Sequence, residues 1–385
     1  MDLTGKYTIH LIASLLNGKV PVNKPDEITF ENLYCFSTFH NVSYMCFEAL
    51  KKTNQIIPED VSRKWENKNY ASLTQSVIQL HERDVIYQLL EEQHIRYLPL
   101  KGCLIKEMYP HIAYREMSDL DILIDEKNAV TVRKAMETLG YECPEFGRLV
   151  DDSYFKGHYM HVEMHYRLMS EYHFEKLDWP YPKDSFLLEP WNKAVKSSGH
   201  EYRYQFTDED FYVYMIVHLA KHFYTSGCGI RQFLDLYYLS QNTHADRERI
   251  YRELDKYGLK EFCVKAERIA DCWMHMKEMD PDLIEMEEEI FSSGVFGTKR
   301  KGMQQQLDRI NEKSGAFIRL RYFWNRLFPS VRFMEIYYPV LHKHQWLLPF
   351  FWIVRIVTRG IFKIPQGIQE MKYASDTLEK AKQSE

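Results

Sequence analysis

The segment from Asp119 to Ile124, Asp-Leu-Asp-Ile-Leu-Ile, constrains the fold more than any other part of the chain. Its alternation predicts a β-strand that points both aspartates to one face and Leu120, Ile122 and Ile124 into a core on the other. Two carboxylates held this close repel each other, so one is expected to take up a proton unless a cation lies between them. Mg²⁺ prefers oxygen ligands and is commonly held by one or two carboxylates together with substrate phosphates. The strand therefore predicts a site for Mg²⁺, or Mn²⁺, in an enzyme of phosphoryl or nucleotidyl transfer.

Two further segments, 154–160 and 161–168, alternate and are predicted to be strands. A third carboxylate lies in the second of them, which begins His-Val-Glu-Met-His at His161. Its period of two places His161, Glu163 and His165 on one face. If this strand neighbours the first, Glu163 lies beside Asp119 and Asp121, and three carboxylates can hold two metal ions. In this hypothesis the three are the catalytic residues and the metal ligands, with Glu163 also acting as the base. Two alternatives stay open: Glu163 is an exposed residue of an edge strand, or it forms a separate zinc site with the two histidines.

Two positively charged residues, Lys101 and Arg115, precede the aspartates in the sequence. Lys101-Gly102 lies between a predicted short strand at 94–100 and a predicted helix at 103–109. Glycine lets backbone amides approach phosphate oxygens, a helix N-terminus favours anions, and Lys101 adds a cation. A plain turn is the alternative. Arg115 either clamps a phosphate or pairs with a nearby acid.

The hydrophobic periodicity predicts an α+β protein, in which a small mixed sheet with helices is flanked by N-terminal and C-terminal helical regions. Alternating strand and helix patterns are confined to the middle of the chain, and helical spacing dominates on both sides. The predicted units are an N-terminal helical region (1–93), an α/β core (94–175), a connector rich in turn residues (176–206), a helical domain (207–300) and a C-terminal helical extension (301–385).

Charge and cysteine usage limit the partners. Lys and Arg number 50 against 55 Asp and Glu, a net charge of −5, so no global basic field indicates a nucleic acid, although the run at 299–301 is locally basic. The seven cysteines contain no Cys-x-x-Cys pair, which favours reduced thiols. With no signal-peptide pattern at the start, we expect a cytoplasmic protein.

The segment 346–362 is strongly apolar but contains Pro349, Arg355 and Arg359. It falls short of the roughly 20 apolar residues that span a bilayer. It is predicted to be a helix packed against the protein, with a peripheral membrane contact, a partner contact or a span as alternatives.

Several of these motifs together resemble the bacterial "uncharacterised nucleotidyltransferase" family, which belongs to the DNA polymerase β-like nucleotidyltransferase superfamily. The resemblance covers roughly residues 40–300 and rests on Lys101-Gly102, Tyr114-Arg115, Ser118–Leu123, Val162–Tyr166, His218–Phe223 and Gly229–Asp235. The superfamily usually has Gly-Gly or Gly-Ser where this chain has Lys-Gly, and the spacing to the aspartates is longer here.

The resemblance implies a nucleotidyltransferase-type sheet and a metal-dependent transfer of a nucleoside monophosphate from an NTP to an unidentified hydroxyl or phosphate acceptor, with release of pyrophosphate. It implies a helical pair that packs over the active-site cleft. Substrate-binding candidates are then Lys101, Gly102, Arg115, Ser118, His165, His218, Lys221, His222 and Arg231. The alternative for the helical pair is a buried polar network in which Arg231 pairs with Asp235. For the whole chain, the alternatives are a catalytically silent binding module and a toxin-like transferase that modifies tRNA or protein.

Overall fold

The structure is a computed structural model that describes residues 2–148, 150–295, 297, 324 and 327–360. Its mixed α+β architecture confirms the predicted fold class. Residues 301–323 of the predicted C-terminal helical extension lie outside the described residues, as do the basic run at 299–301 and residues 361–385. The predicted domain limits stay predictions.

Helices precede the sheet: α1 (Leu3–Leu16), α2 (Phe30–Phe39), α3 (Ser43–Leu50) and α4 (Glu59–Glu92). The long α4 follows Pro58, with Glu59 and Asp60 in its first turn, where negative charge favours the helix dipole. His94 adopts a positive φ of 55° just beyond its end. This tight exit turns the chain directly into the sheet.

The central sheet contains β1 (Tyr97–Pro99), β2 (Leu120–Ile124), β3 (Asp151–Lys156) and β4 (Met160–His165). Within the described residues its order is β1-β2-β4-β3, and only the β2–β4 pair is parallel. The parallel register sets Asp121 directly opposite Glu163. Leu120, Ile122 and Ile124 of β2 are buried, as the alternation predicted, and Leu123 on the face of the aspartates is buried as well.

Two boundaries differ from the prediction. Strands were expected at 154–160 and 161–168, but the hairpin turns earlier because Gly157 adopts a φ of +57° there. The first helix of the core, α5 (Lys101–Lys106), ends well before Pro110. Its last amides bond three residues back, at Met108 and Tyr109, so the helix tightens into turns.

Two short helices flank the sheet, α6 (Ala129–Thr138) and α7 (Glu171–Leu177). The connector then forms a small ladder of β5 (Val195–Lys196) and β6 (Tyr204–Gln205), where one short strand was expected. The helical region that follows contains α8 (Asp208–Phe223), α9 (Ile230–Asn242), α10 (Arg247–Asp255), α11 (Lys260–Met274) and α12 (Ile284–Ser293). Thr207 caps α8 by accepting a hydrogen bond from the Asp210 amide, at the predicted helix start.

The C-terminal part that the structure describes includes α13 (Val331–Tyr337) and α14 (Leu348–Arg355). An ion pair between Arg332 and Glu171, at 2.5 Å, fastens α13 to α7. Phe333 also packs edge-on against Tyr172, with ring centroids 5.5 Å apart.

The described part of the apolar segment, residues 346–360, is only partly packed. Trp352 donates a hydrogen bond from its indole to the Pro329 carbonyl, at 2.9 Å, whereas Trp346, Phe350 and Ile353 are each more than half exposed. No helix in the described part of the chain is long and apolar enough to cross a membrane. Contact of this exposed face with a partner or a membrane surface stays a prediction.

Candidate active site

One cavity of about 540 Å³ is lined by all twelve residues that the sequence marked as site candidates. This size lies in the range of small-molecule sites. Its floor is the end of the sheet, and its walls come from α7, α8, α9 and α13. The twelve residues are Lys101, Gly102, Arg115, Ser118, Asp119, Asp121, Glu163, His165, His218, Lys221, His222 and Arg231.

The three carboxylates converge at the sheet. Asp121 and Glu163 face each other across β2 and β4, and Asp119 lies just before β2. Glu163 belongs to two groups whose ligand atoms lie within 4.8 Å of one another, one with Asp119 and His161, the other with Asp121 and His165. Either group can hold a divalent cation. Among the described residues the two histidines and Glu163 do not form a group of their own, so the geometry does not favour the separate zinc site.

Two cationic side chains already contact Asp121. Lys101 Nζ and His165 Nε2 each lie 2.8 Å from Asp121 Oδ1. Burial by itself raises the pKa of Asp121, but these two partners outweigh it and lower that pKa. Burial and Lys101 lower the pKa of His165, and its hydrogen bonds to Asp121 and Glu163 reverse this and raise it to about 9. Near neutral pH, Asp121 is therefore an ionised carboxylate between an ammonium and an imidazolium.

Asp119 has the opposite environment. Burial and the nearby charge of Asp121 raise the pKa of Asp119, and Glu163 adds to the repulsion. Its hydrogen bond, at 2.7 Å, comes from the neutral hydroxyl of Ser118. The electrostatic conflict predicted from the sequence is thus concentrated on Asp119, and a bound cation would relieve it.

Lys101 and Gly102 each have a local role within the protein itself. Lys101 has a φ of +39°, a left-handed conformation that costs a side-chain-bearing residue about 1–2 kcal/mol. Its ammonium binds Asp121, and this ion pair helps to offset that cost. A Cβ on Gly102 would lie only 2.9 Å from a guanidinium nitrogen of Arg115. Glycine at this position therefore makes room for Arg115.

Arg115 pairs with an acid, the second of the two predicted interpretations. Its Nε and one terminal nitrogen donate to the two oxygens of Asp235 at 2.7 and 2.9 Å, and both side chains are buried. Tyr109 donates to the same carboxylate at 2.9 Å. The predicted pair of Arg231 with Asp235 is longer, at 3.8 Å, because the planar guanidinium of Arg115 occupies both oxygens.

Helix α8 presents two histidines and a lysine to the cavity. The Nε2 atoms of His218 and His222 lie 3.1 Å apart. Burial, followed by the charge of Lys101, lowers the pKa of His218 well below its usual value. Burial, followed by the charge of Lys221, lowers the pKa of His222 to about 3. Both rings are therefore neutral. Burial and Lys101 lower the pKa of Lys221 to about 8. No hydrogen bond or ion pair joins its ammonium to the described residues, which leaves it available to an anionic ligand.

Several residues that line the cavity were not among the candidates predicted from the sequence. Asp151 faces His165 across the β3–β4 pair, but the start of β3 was placed too late to reveal it. Tyr172 on α7 and the α13 residues Phe333 and Tyr337 carry no motif, and only packing brings them to the cavity.

A family model described as "Uncharacterised nucleotidyltransferase" matches residues 26–275, about two thirds of the chain. The matched region contains all three carboxylates and ends before α13. Searches of curated proteins and of solved structures find no match.

Proposed function

Because the chain belongs to the uncharacterised nucleotidyltransferase family, we propose that it transfers a nucleoside monophosphate from an NTP to a hydroxyl or phosphate acceptor and releases pyrophosphate. We also propose its placement in the DNA polymerase β-like superfamily. The observation that carries the proposal is the convergence of Asp119, Asp121 and Glu163 in a cavity that also contains lysine and arginine side chains.

The carboxylates fit a divalent cation, since Asp119 lies in a repulsive environment and Glu163 is close to both aspartates. In this proposal Asp119, Asp121 and Glu163 hold two Mg²⁺ or Mn²⁺ ions. Such ions neutralise charge on the triphosphate and lower the pKa of the attacking hydroxyl.

The reaction forms one bond from the acceptor oxygen to the α-phosphorus and breaks the bond from that phosphorus to the oxygen bridging to the β-phosphate. The electron pair leaves with pyrophosphate, and the acceptor proton passes to the carboxylate of Glu163. Although burial raises the pKa of Glu163, its hydrogen bond with His165 outweighs this and lowers it, so the group is ionised and able to accept. Positioning and electrostatics dominate reactions of this class.

Substrate contacts are assigned from the cavity walls. Lys221 has an ammonium without a protein partner among the described residues, and it is proposed to bind the triphosphate. Tyr172, Phe333 and Tyr337 form an aromatic wall, on which the planar base of the nucleotide is proposed to stack.

The test incubates the protein with each α-labelled NTP, Mg²⁺ or Mn²⁺, and a cell extract, then measures pyrophosphate release and identifies the labelled product. Asp121→Ala is expected to abolish labelling, whereas the matched change of the exposed Asp255 to Ala leaves it intact. Absence of pyrophosphate and label with all four nucleotides would refute the transferase assignment and favour a binding module. Label on tRNA or on a protein would identify the toxin-like alternative.

A further inference from the structure

His161 lies beside the carboxylates and has an unsatisfied nitrogen. Its ring stacks on Phe155 of β3, with centroids 4.6 Å apart and planes within 3°, so its orientation is constrained. Its Nε2 atom is buried and has no hydrogen-bond partner among the described residues. The closest approach to an acid is 3.7 Å, to Glu163 Oε1. Leaving a buried polar atom unsatisfied is unfavourable, so this nitrogen is suited to a ligand that the protein itself does not supply.

The surrounding atoms define where that ligand lies. One ligand atom each from Asp119, His161 and Glu163 lies within 4.8 Å of the others. Ligands on opposite sides of an octahedral ion with bonds of 2.0–2.1 Å would be about 4 Å apart, so modest side-chain adjustment would bring these three atoms within bonding distance of one cation. His165 differs, because its Nε2 is engaged with Asp121 at 2.8 Å.

We propose that His161 is a nitrogen ligand of the cation held by Asp119 and Glu163, and that this mixed shell favours a transition-metal ion such as Mn²⁺ over Mg²⁺. Imidazole is a ligand of first-row transition-metal ions, strongest for Zn²⁺, Cu²⁺, Fe²⁺ and Ni²⁺ and weaker for Mn²⁺, whereas Mg²⁺ favours oxygen ligands and retains its waters. The presence of a divalent cation rests on the proposed function. The nitrogen ligand is a separate feature of this chain, since a carboxylate triad alone supplies only oxygen.

The experiment measures Mn²⁺ bound to the full chain without nucleotide, by electron paramagnetic resonance with pulsed detection of ¹⁴N coupling. The wild type is expected to show coupling from one imidazole nitrogen. His161→Gln is expected to remove it and to weaken Mn²⁺ binding at least about tenfold, since even changes outside the ligand shell cost 10–100-fold. The exposed His158, in the same hairpin, provides the matched control His158→Gln, which keeps both the coupling and the affinity.

His161→Asp provides a second test. It restores an all-oxygen shell, so it is expected to bind metal without ¹⁴N coupling and to lower the ratio of Mn²⁺ to Mg²⁺ affinity. Circular dichroism of each variant verifies folding, and this carboxylate variant keeps the test decisive if His161→Gln unfolds.

Mn²⁺ bound without ¹⁴N coupling, coupling that persists in His161→Gln, or no Mn²⁺ binding at all would overturn the inference. Coupling in a protein without nucleotide turnover would support the ligand and refute the proposed transferase function. Nucleotide turnover without ¹⁴N coupling would support the proposed transferase function and refute His161 as a ligand.

Discussion

Replacing Asp121 by Asn is expected to destabilise the metal-free protein, whereas the same replacement at Asp119 is expected to stabilise it. Clustered carboxylates usually repel, so neutralising one relieves strain. Asp121 is different because Lys101 and His165 each bond to it at 2.8 Å in a buried environment. Among the residues that the structure describes, no cationic side chain is hydrogen-bonded to Asp119, and burial together with Asp121 raises its pKa. The two substitutions are chemically identical and two residues apart, so each is the control for the other.

The magnitude follows from the two hydrogen bonds. The amide oxygen that Asp121→Asn introduces can still accept them, but a hydrogen bond to a charged group contributes about 1.5–3 kcal/mol and a neutral one about 0.5–1.5 kcal/mol. Loss of the charge therefore costs roughly 1–1.5 kcal/mol for each bond, or about 2–3 kcal/mol for the two. If the free energy of unfolding decreases by about 3 kcal/mol per molar urea, this loss lowers the urea concentration at the unfolding midpoint by about 1 M.

The assay is urea unfolding followed by tryptophan fluorescence, in EDTA and then in Mn²⁺. In EDTA, Asp119→Asn is expected to be the most stable of the three proteins, the wild type less stable and Asp121→Asn the least stable. Adding Mn²⁺ stabilises the wild type more than either variant, because a ligand that binds only the folded state stabilises it by mass action. An Asp121→Asn protein as stable as the wild type in EDTA would refute the reasoning that Lys101 and His165 compensate this carboxylate.

Two further predictions concern substrate binding. Since the pKa of Lys221 is lowered to about 8, its ammonium is present below pH 8 and lost above it. The NTP affinity measured by calorimetry should therefore weaken as the pH rises through 8 in the wild type but not in Lys221→Arg. Parallel pH curves for the two proteins would contradict this assignment. Tyr337→Ala should weaken NTP binding by about 1–3 kcal/mol, the usual contribution of a stacked base. Binding of inorganic tripolyphosphate, which has no base, should stay unchanged. Equal losses of affinity for both ligands would show that Tyr337 does not contact the base.

Local pattern explains why the metal-binding candidates were recognisable from the sequence. Alternation along a strand has a period of two, so it determines which residues share a face and which enter the core. The burial of Leu120, Ile122 and Ile124 in β2 follows from this rule. The alternation of the segment that begins at His161 likewise identified Glu163 as a third acid, although its turn was misplaced because Gly157 was read as part of a strand.

Partner choice among charged residues was less predictable. Arg115 lies 120 positions before Asp235, and the alternative i, i+4 partner Arg231 was the one visible in the sequence. The ammonium of Lys101 binds Asp121, a pairing that the sequence did not indicate. Such pairings depend on side-chain distances set by the packing of α5, α9 and the sheet, which no local pattern encodes.

The sequence by itself determined the fold class, the carboxylate-bearing strand and the set of polar residues that surround one cavity, because each follows from short-range periodicity or a recognisable motif. Only the tertiary structure decided that β2 and β4 run parallel with Asp121 opposite Glu163, that Asp121 is compensated while Asp119 is not, and that α13 closes the cavity. These features arise from contacts between residues far apart in the chain, whose geometry exists only once the helices and the sheet have packed together.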